Sequence, residues 1–105
     1  MDTQIPPELL QKLEGSKLSG IYKLELRGTD GGTWYVRLGD GMQVVDKIED
    51  DEHPDVIVRT DSIDLKALLD GRMSVSDGLV SERLSLVGDV TKIAQLKNAI
   101  VPPKN

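Results

Sequence analysis

The residues that could do chemistry in this chain are concentrated in Glu49-Asp50-Asp51-Glu52-His53-Pro54-Asp55, which holds five carboxylates and the single histidine. The chemistries to test there are a metal site and an acid-base pair. A calcium loop needs oxygen ligands at alternating positions and a glycine for its tight turn, and a transition-metal site ordinarily uses more than one imidazole or thiolate. This run offers neither pattern, so it reads as a solvated crossover loop, as charge runs generally do. The carboxylate pairs Asp50 with Asp51 and Asp61 with Asp64 serve as acid and base only where a fold converges them and shifts their pKa values. Asp61 is better explained as a helix cap.

The other reactive patterns are equally thin. Gly28 to Gly32 is rich in glycine, but no Lys-Ser/Thr follows it and its flanks are strand-like, so it reads as a hairpin turn instead of a phosphate loop. The chain has no cysteine, hence no thiolate ligand, disulfide or cysteine nucleophile. His53 has no serine-containing nucleophile elbow near it, and no His-x-x-x-His or Gly-x-Gly-x-x-Gly pattern occurs. Arg72 could meet a carboxylate or phosphate head group, yet its place after a helix stop reads as a surface arginine. The sequence therefore predicts no enzyme, no metal and no cofactor.

What remains is apolar and must be organised by the fold. The 105 residues suit a single domain over 1–105. With no Phe, and with Tyr22, Trp34 and Tyr35 as the aromatics, the core has to be aliphatic. A formal net charge of −5 works against nucleic acid and anionic lipid as nonspecific partners. The N-terminal residues lack a signal-peptide pattern, and no apolar run approaches the ~20 residues that span a bilayer, which gives the expectation of a soluble, cytoplasmic protein.

Hydrophobic periodicity supplies the elements. Pro6 and Pro7 open a short helix with Leu9, Leu10 and Leu13 on one face, closed by Gly15. From Leu18 to Arg27 the period becomes two, with Leu18, Tyr22, Leu24 and Leu26 on one side. Asp30-Gly31-Gly32 turns the chain into a second strand, Thr33 to Leu38, with Trp34, Val36 and Leu38 inward. A third strand is expected from Met42 to Ile48, with Met42 and Val44 inward. Val56-Ile57-Val58 reads as a central strand covered on both faces. A helix follows from Asp61 to Gly71 with Ile63, Leu65, Leu68 and Leu69 apolar, and then an irregular flap carrying Met73, Val75, Leu79 and Val80. Leu84 and Leu86 alternate in a last strand, and Asp89 caps a final helix through Val90, Ile93, Ala94, Leu96 and Ile100 that Pro102-Pro103 stops. The expected class is α+β, a sheet with helices covering one face.

In this order, Gly20-Ile21-Tyr22, Gly31-Gly32-Thr33-Trp34-Tyr35-Val36, Asp40-Gly41, Asp55-Val56-Ile57-Val58, Asp64-Leu65, Leu68-Leu69-Asp70-Gly71-Arg72-Met73 and Leu84-Ser85-Leu86-Val87-Gly88-Asp89 resemble the sterol carrier protein 2 domain. The similarity covers roughly Leu18 to Ile100. It implies a five-stranded sheet with an apolar tunnel between sheet and helices, taking a fatty acid, fatty acyl-CoA, sterol or related lipid. Two features depart from that family: Glu82 stands where many relatives have glycine, and the N-terminal helix region is short. The end of the chain also lacks the Ser-Lys-Leu type signal of peroxisomal relatives.

The resemblance turns the apolar stripes into candidate ligand contacts: Trp34, Val36, Leu38, Met73, Leu79, Val80, Leu84, Leu86, Ile93, Leu96 and Ile100. Periodicity alone would assign each of them to plain core packing. Trp34 stands out because its ring can line an apolar space while its N–H reaches a partner or water, and Met73 because its thioether adapts to irregular walls. The function expected is non-catalytic binding and carriage of a lipid or other hydrophobic small molecule, with transient membrane contact through the Leu79-Val80 flap. The alternative is an accessory or interaction module using the same groove for a partner segment. Oligomeric state is left open by the sequence.

Overall fold

The computed structural model describes residues 5–28 and 31–100. Helix α1, Pro7–Glu14, places a proline in its first turn, where the missing N–H has no intrahelical partner to lose. Leu9 and Leu13 lie one turn apart and are both buried. Gly15 follows in a right-handed conformation, φ −81°, so the stop does not draw on glycine's conformational freedom. Ser16 instead donates its hydroxyl to the Leu13 carbonyl at 2.6 Å, satisfying one of the orphan acceptors of a helix end.

Strands β1 (Gly20–Arg27), β2 (Gly32–Gly39) and β3 (Gly41–Val45) form an antiparallel meander. Strand β4 (Val56–Asp61) then joins the other side of β1 in parallel, and β5 (Leu84–Gly88) pairs antiparallel with β4, giving the order β3-β2-β1-β4-β5. The third strand ends at Val45, short of the expected Ile48. The cause is topological: a strand parallel to β1 must start from the same end as β1, so the chain leaves β3 early to cross back through residues 46–55.

The register sorts the side chains cleanly. Tyr22 sits between Val36 and Val56, Leu24 between Trp34 and Val58, and Leu26 beside Thr60, all on one face. The opposite face carries Lys23, Glu25, Tyr35, Arg37 and Arg59. There Glu25 accepts from Lys23 at 3.0 Å and from Arg59 at 2.7 Å, and both pairings hold its carboxyl below the ordinary value, the Lys23 hydrogen bond most. Because helices cover one face alone, Val56 and Val58 are buried while Ile57 between them is half-exposed. The expectation of a run covered on both faces is corrected accordingly, while the expected interior position holds, since β4 lies between β5 and the middle strand β1.

Helix α2, Ser62–Asp70, buries Leu65, Leu68 and Leu69 and leaves Ile63 80% exposed. Asp61 occupies its N-cap position without a side-chain cap bond. It faces the Arg27 guanidinium at 3.5 Å instead, so the capping role assigned from sequence is not the one it plays. Gly71 ends the helix at φ +81°, a left-handed stop that only glycine adopts without strain.

The segment expected to be an irregular flap contains a short helix, α3, Val75–Val80. Ser74 initiates it by accepting from the Asp77 N–H at 3.0 Å. Gly78 is buried, and a Cβ added there would lie 3.2 Å from Leu84 Cβ and 3.3 Å from Met73 Cε; the missing side chain is what allows the helix to lie on the sheet. Asp89 caps α4, Val90–Ile100, through Oδ1 to the Lys92 N–H at 3.0 Å. The Pro102-Pro103 stop and Asp30 of the first hairpin turn lie outside the described residues.

Candidate ligand-binding seam

Between the sheet and its helices lies a small enclosed space whose walls come from every helix except α3. Leu9 and Leu13 of α1, Tyr22, Leu24 and Leu26 of β1, Val58 of β4, Leu65 and Leu68 of α2, Leu84 of β5, and Leu96 and Ile100 of α4 line it. Its volume is about 20 Å³, on the order of what one water needs. Nothing in the wall would hold that water, because the lining is hydrocarbon apart from Tyr22. The Tyr22 hydroxyl donates to the Ser19 carbonyl at 3.1 Å; burial pushes its pKa up, and the charges of Asp55 and Asp89 push it further.

Of the residues nominated from sequence, Leu84, Leu96 and Ile100 line this seam. Val36 and Met73 are buried in the same core, and Trp34, Leu38, Leu86 and Ile93 pack half-buried against it. Leu79 and Val80 face outward, Val80 at 86% exposure, because α3 spends its inner face on Gly78. The seam also uses α1, β1 and α2 residues that sequence reasoning placed in the core but not in the site. Their shared faces were legible; which of several equally buried leucines border a void is a matter of helix placement.

Helix α4 borders this seam through Leu96 and Ile100 and turns other residues to the surface. On another side Gln95, Asn98 and Ala99 face Ser16, Lys17 and Leu18 across a mixed groove of about 260 Å³. The N-terminal end of α4 is firmly held: Asp89 N–H donates to the Asp55 carbonyl at 2.9 Å and Lys92 Nζ to the Ser19 carbonyl at 2.7 Å. Asp55 in turn accepts from the Ile21 N–H through Oδ2 at 2.9 Å. Gly20 and Gly88 make these approaches possible, since a Cβ on either would overlap an Asp55 oxygen.

The acidic crossover is a strap. Both terminal guanidinium nitrogens of Arg37 donate to the Glu52 carboxylate, Nη2 to Oε1 at 2.6 Å, and the Glu49 N–H adds a bond at 2.9 Å. These donors hold the Glu52 carboxyl down at about 2, Arg37 contributing most. His53 is exposed, and among the described residues no three His, Asp or Glu side chains converge as a metal-binding group. No described helix is long and apolar enough to cross a membrane.

The model of the SCP-2 sterol transfer family matches residues 5–101. The zebrafish (Danio rerio) hydroxysteroid dehydrogenase-like protein 2 is 25% identical over 101 residues, spanning 96% of this chain but only 23% of that protein. The chain thus spans about a quarter or less of the length of the curated relatives it matches. Among solved structures, sterol carrier protein 2-like 2 from Aedes aegypti superposes with a TM-score of 0.72 at 21% identity, covering 88% of this chain and 89% of that one. The solution structure of the palmitated form of that mosquito protein gives a TM-score of 0.65 at 23% identity, covering 89% and 91%.

Proposed function

The chain belongs to the SCP-2 sterol transfer family, and on that premise we propose that it binds and carries a single-chain lipid, of the fatty acid class, without catalysing a reaction on it. The observation that carries this reading is the wall of the seam, aliphatic apart from Tyr22. A ligand pocket is mostly apolar with a few polar groups for orientation, and the groove beyond α4 supplies those in Lys17, Gln95 and Asn98. A palmitated relative with this fold favours an acyl chain over a rigid ring system.

Carriage in this molecule requires the layers to part. A seam of about 20 Å³ is far below the roughly 300 Å³ or more of a ligand pocket. Because Asp89 and Lys92 hold one end of α4, the half bearing Leu96 and Ile100 is the part that swings. Its displacement would join the seam to the groove, leaving the carboxylate near Lys17. Burying on the order of 300 to 400 Å² of acyl chain contributes about 8 to 10 kcal/mol gross at ~25 cal/mol per Å². Association and ordering costs remove much of that, and micromolar affinity is the expected result.

Native mass spectrometry of protein purified from cells, followed by titration with palmitate, tests the reading. Retained or captured lipid should be lost in Leu96→Trp, which fills the seam, and circular dichroism checks that this variant is folded. A folded wild-type protein that neither retains nor takes up any member of a broad lipid panel would overturn the proposal.

A further inference from the structure

Of the large apolar side chains that stand exposed among the described residues, Val87 lies in β5 and Leu79, Val80 and Val90 flank it, Ile63 alone lying elsewhere. That strand is an edge of the sheet. Its ladder parity can be read from one bond: Asp89 N–H donates to the Asp55 carbonyl beside the Val56–Gly88 pair. In an antiparallel ladder alternate residues turn both backbone groups to the same side, so Ser85, Val87 and Asp89 face β4. The bond from Thr60 Oγ1 to the Arg83 carbonyl at 2.8 Å agrees. Leu84, Leu86 and Gly88 therefore turn their N–H and C=O groups to the free edge.

Edge strands are ordinarily protected by lysine, proline or a bulge. Leu84-Ser85-Leu86-Val87-Gly88 has no charge and no proline, and its register with β4 is unbroken. We propose that β5 pairs antiparallel with β5 of a second copy of this chain, about a two-fold axis at Leu86, so that the two sheets become one. Charge selects the second copy and the register. With the axis at Leu86, Arg83 of each chain stands opposite Asp89 of the other, so one isologous contact makes two opposite-charge pairs. An axis at Ser85 or Val87 would place Arg83 opposite Val87 or Thr91.

Arg83 is exposed and forms none of the ion pairs among the described residues, and the Asp89 carboxylate uses Oδ1 for its cap, leaving Oδ2. Leu84 is nearly covered in the monomer, so the axial Leu86 pair and the two Arg83–Asp89 contacts carry the interface. Leu86, half-buried on the helix-covered face, meets its symmetry mate there. Val87, 51% exposed on the open face, comes to lie opposite Ser85 of the second copy.

Sedimentation equilibrium across the micromolar range should show a monomer–dimer equilibrium. Arg83→Glu, which turns both charge pairs repulsive, should raise the dimer dissociation constant about tenfold or more, and Val87→Lys should do the same by guarding the edge. Circular dichroism confirms that both surface variants remain folded. Register is read by disulfide formation: Ser85→Cys mixed with Val87→Cys should cross-link, the facing Cα atoms of such a pair being about 4.5 Å apart, while Ser85→Cys alone should not. A protein monomeric at every concentration overturns the proposal. So does a dimer indifferent to both substitutions, or one in which Ser85→Cys alone cross-links as readily as the mixture.

Discussion

Gly88→Ala should be among the most damaging single-methyl additions to this molecule. Gly88 holds φ +135° where the last strand passes Asp55, and an added Cβ would overlap the Asp55 carbonyl oxygen and lie 3.0 Å from both Asp55 C and Val56 Cα. Backbone atoms cannot swing aside as a side-chain tip can. A non-glycine residue in such a region costs about 1 to 3 kcal/mol. Relieving the overlap also draws β5 away from β4 and sacrifices the Asp89 to Asp55 bond of 2.9 Å, worth about 1 kcal/mol. The reduced freedom of the unfolded chain returns about 0.4 to 1 kcal/mol. The net loss is about 1 to 3.6 kcal/mol, which at about 4 to 8 °C per kcal/mol lowers Tm by roughly 4 to 29 °C.

Gly41→Ala is the matched control, because Gly41 has φ +94° with nothing within 4 Å of an added Cβ, and so it pays the conformational cost alone. Urea unfolding followed by Trp34 fluorescence and circular dichroism measures both. The expected order is wild type, then Gly41→Ala, then Gly88→Ala with the lowest midpoint. If Gly88→Ala were as stable as Gly41→Ala, the argument that close approach at Asp55 anchors α4 would be wrong.

Glu82 is the non-glycine residue found at positive φ, +63°, among the described residues; relieving about 1 to 2 kcal/mol of left-handed strain against glycine's entropy cost should make Glu82→Gly more stable by about 0.5 to 1 kcal/mol, and an unchanged or lower urea midpoint would contradict this. The Glu52 carboxyl is depressed from 4.5 to about 2, so its contribution is complete above pH 4.5 and is lost as pH falls through about 2; Glu52→Gln should flatten the acid limb of a stability–pH profile, and more so at low than at high salt. Leu96→Ala, truncating a seam-lining side chain 4% exposed, should cost about 2 to 5 kcal/mol yet tighten palmitate binding, since less wall movement is then needed; weaker binding measured by isothermal titration calorimetry would argue against the seam as the site.

Much of this molecule was legible before folding. Alternation in Tyr22, Leu24 and Leu26 assigned the buried face of β1, because a strand's side chains alternate whatever surrounds them. Gly71 marked the end of α2, and Asp89 the start of α4, since both are local solutions to unsatisfied backbone groups. The poverty in reactive side chains was equally plain, and it pointed to binding. Local signals failed where a distant partner decided the outcome: Asp61 answers to Arg27 instead of its own helix, and β3 stops at Val45 because the next strand must pair in parallel with β1.

The acidic run shows the same division, for its charge was obvious but its use was not: Glu52 finds Arg37 only because the crossover returns over the open face of β2. Which leucines border the seam, that α4 lines both the seam and the groove, and that β5 presents an unguarded edge are consequences of how elements far apart in sequence are packed. Periodicity reports the direction of a side chain relative to its own element. The space it faces is set by the elements opposite, and only the tertiary structure places those.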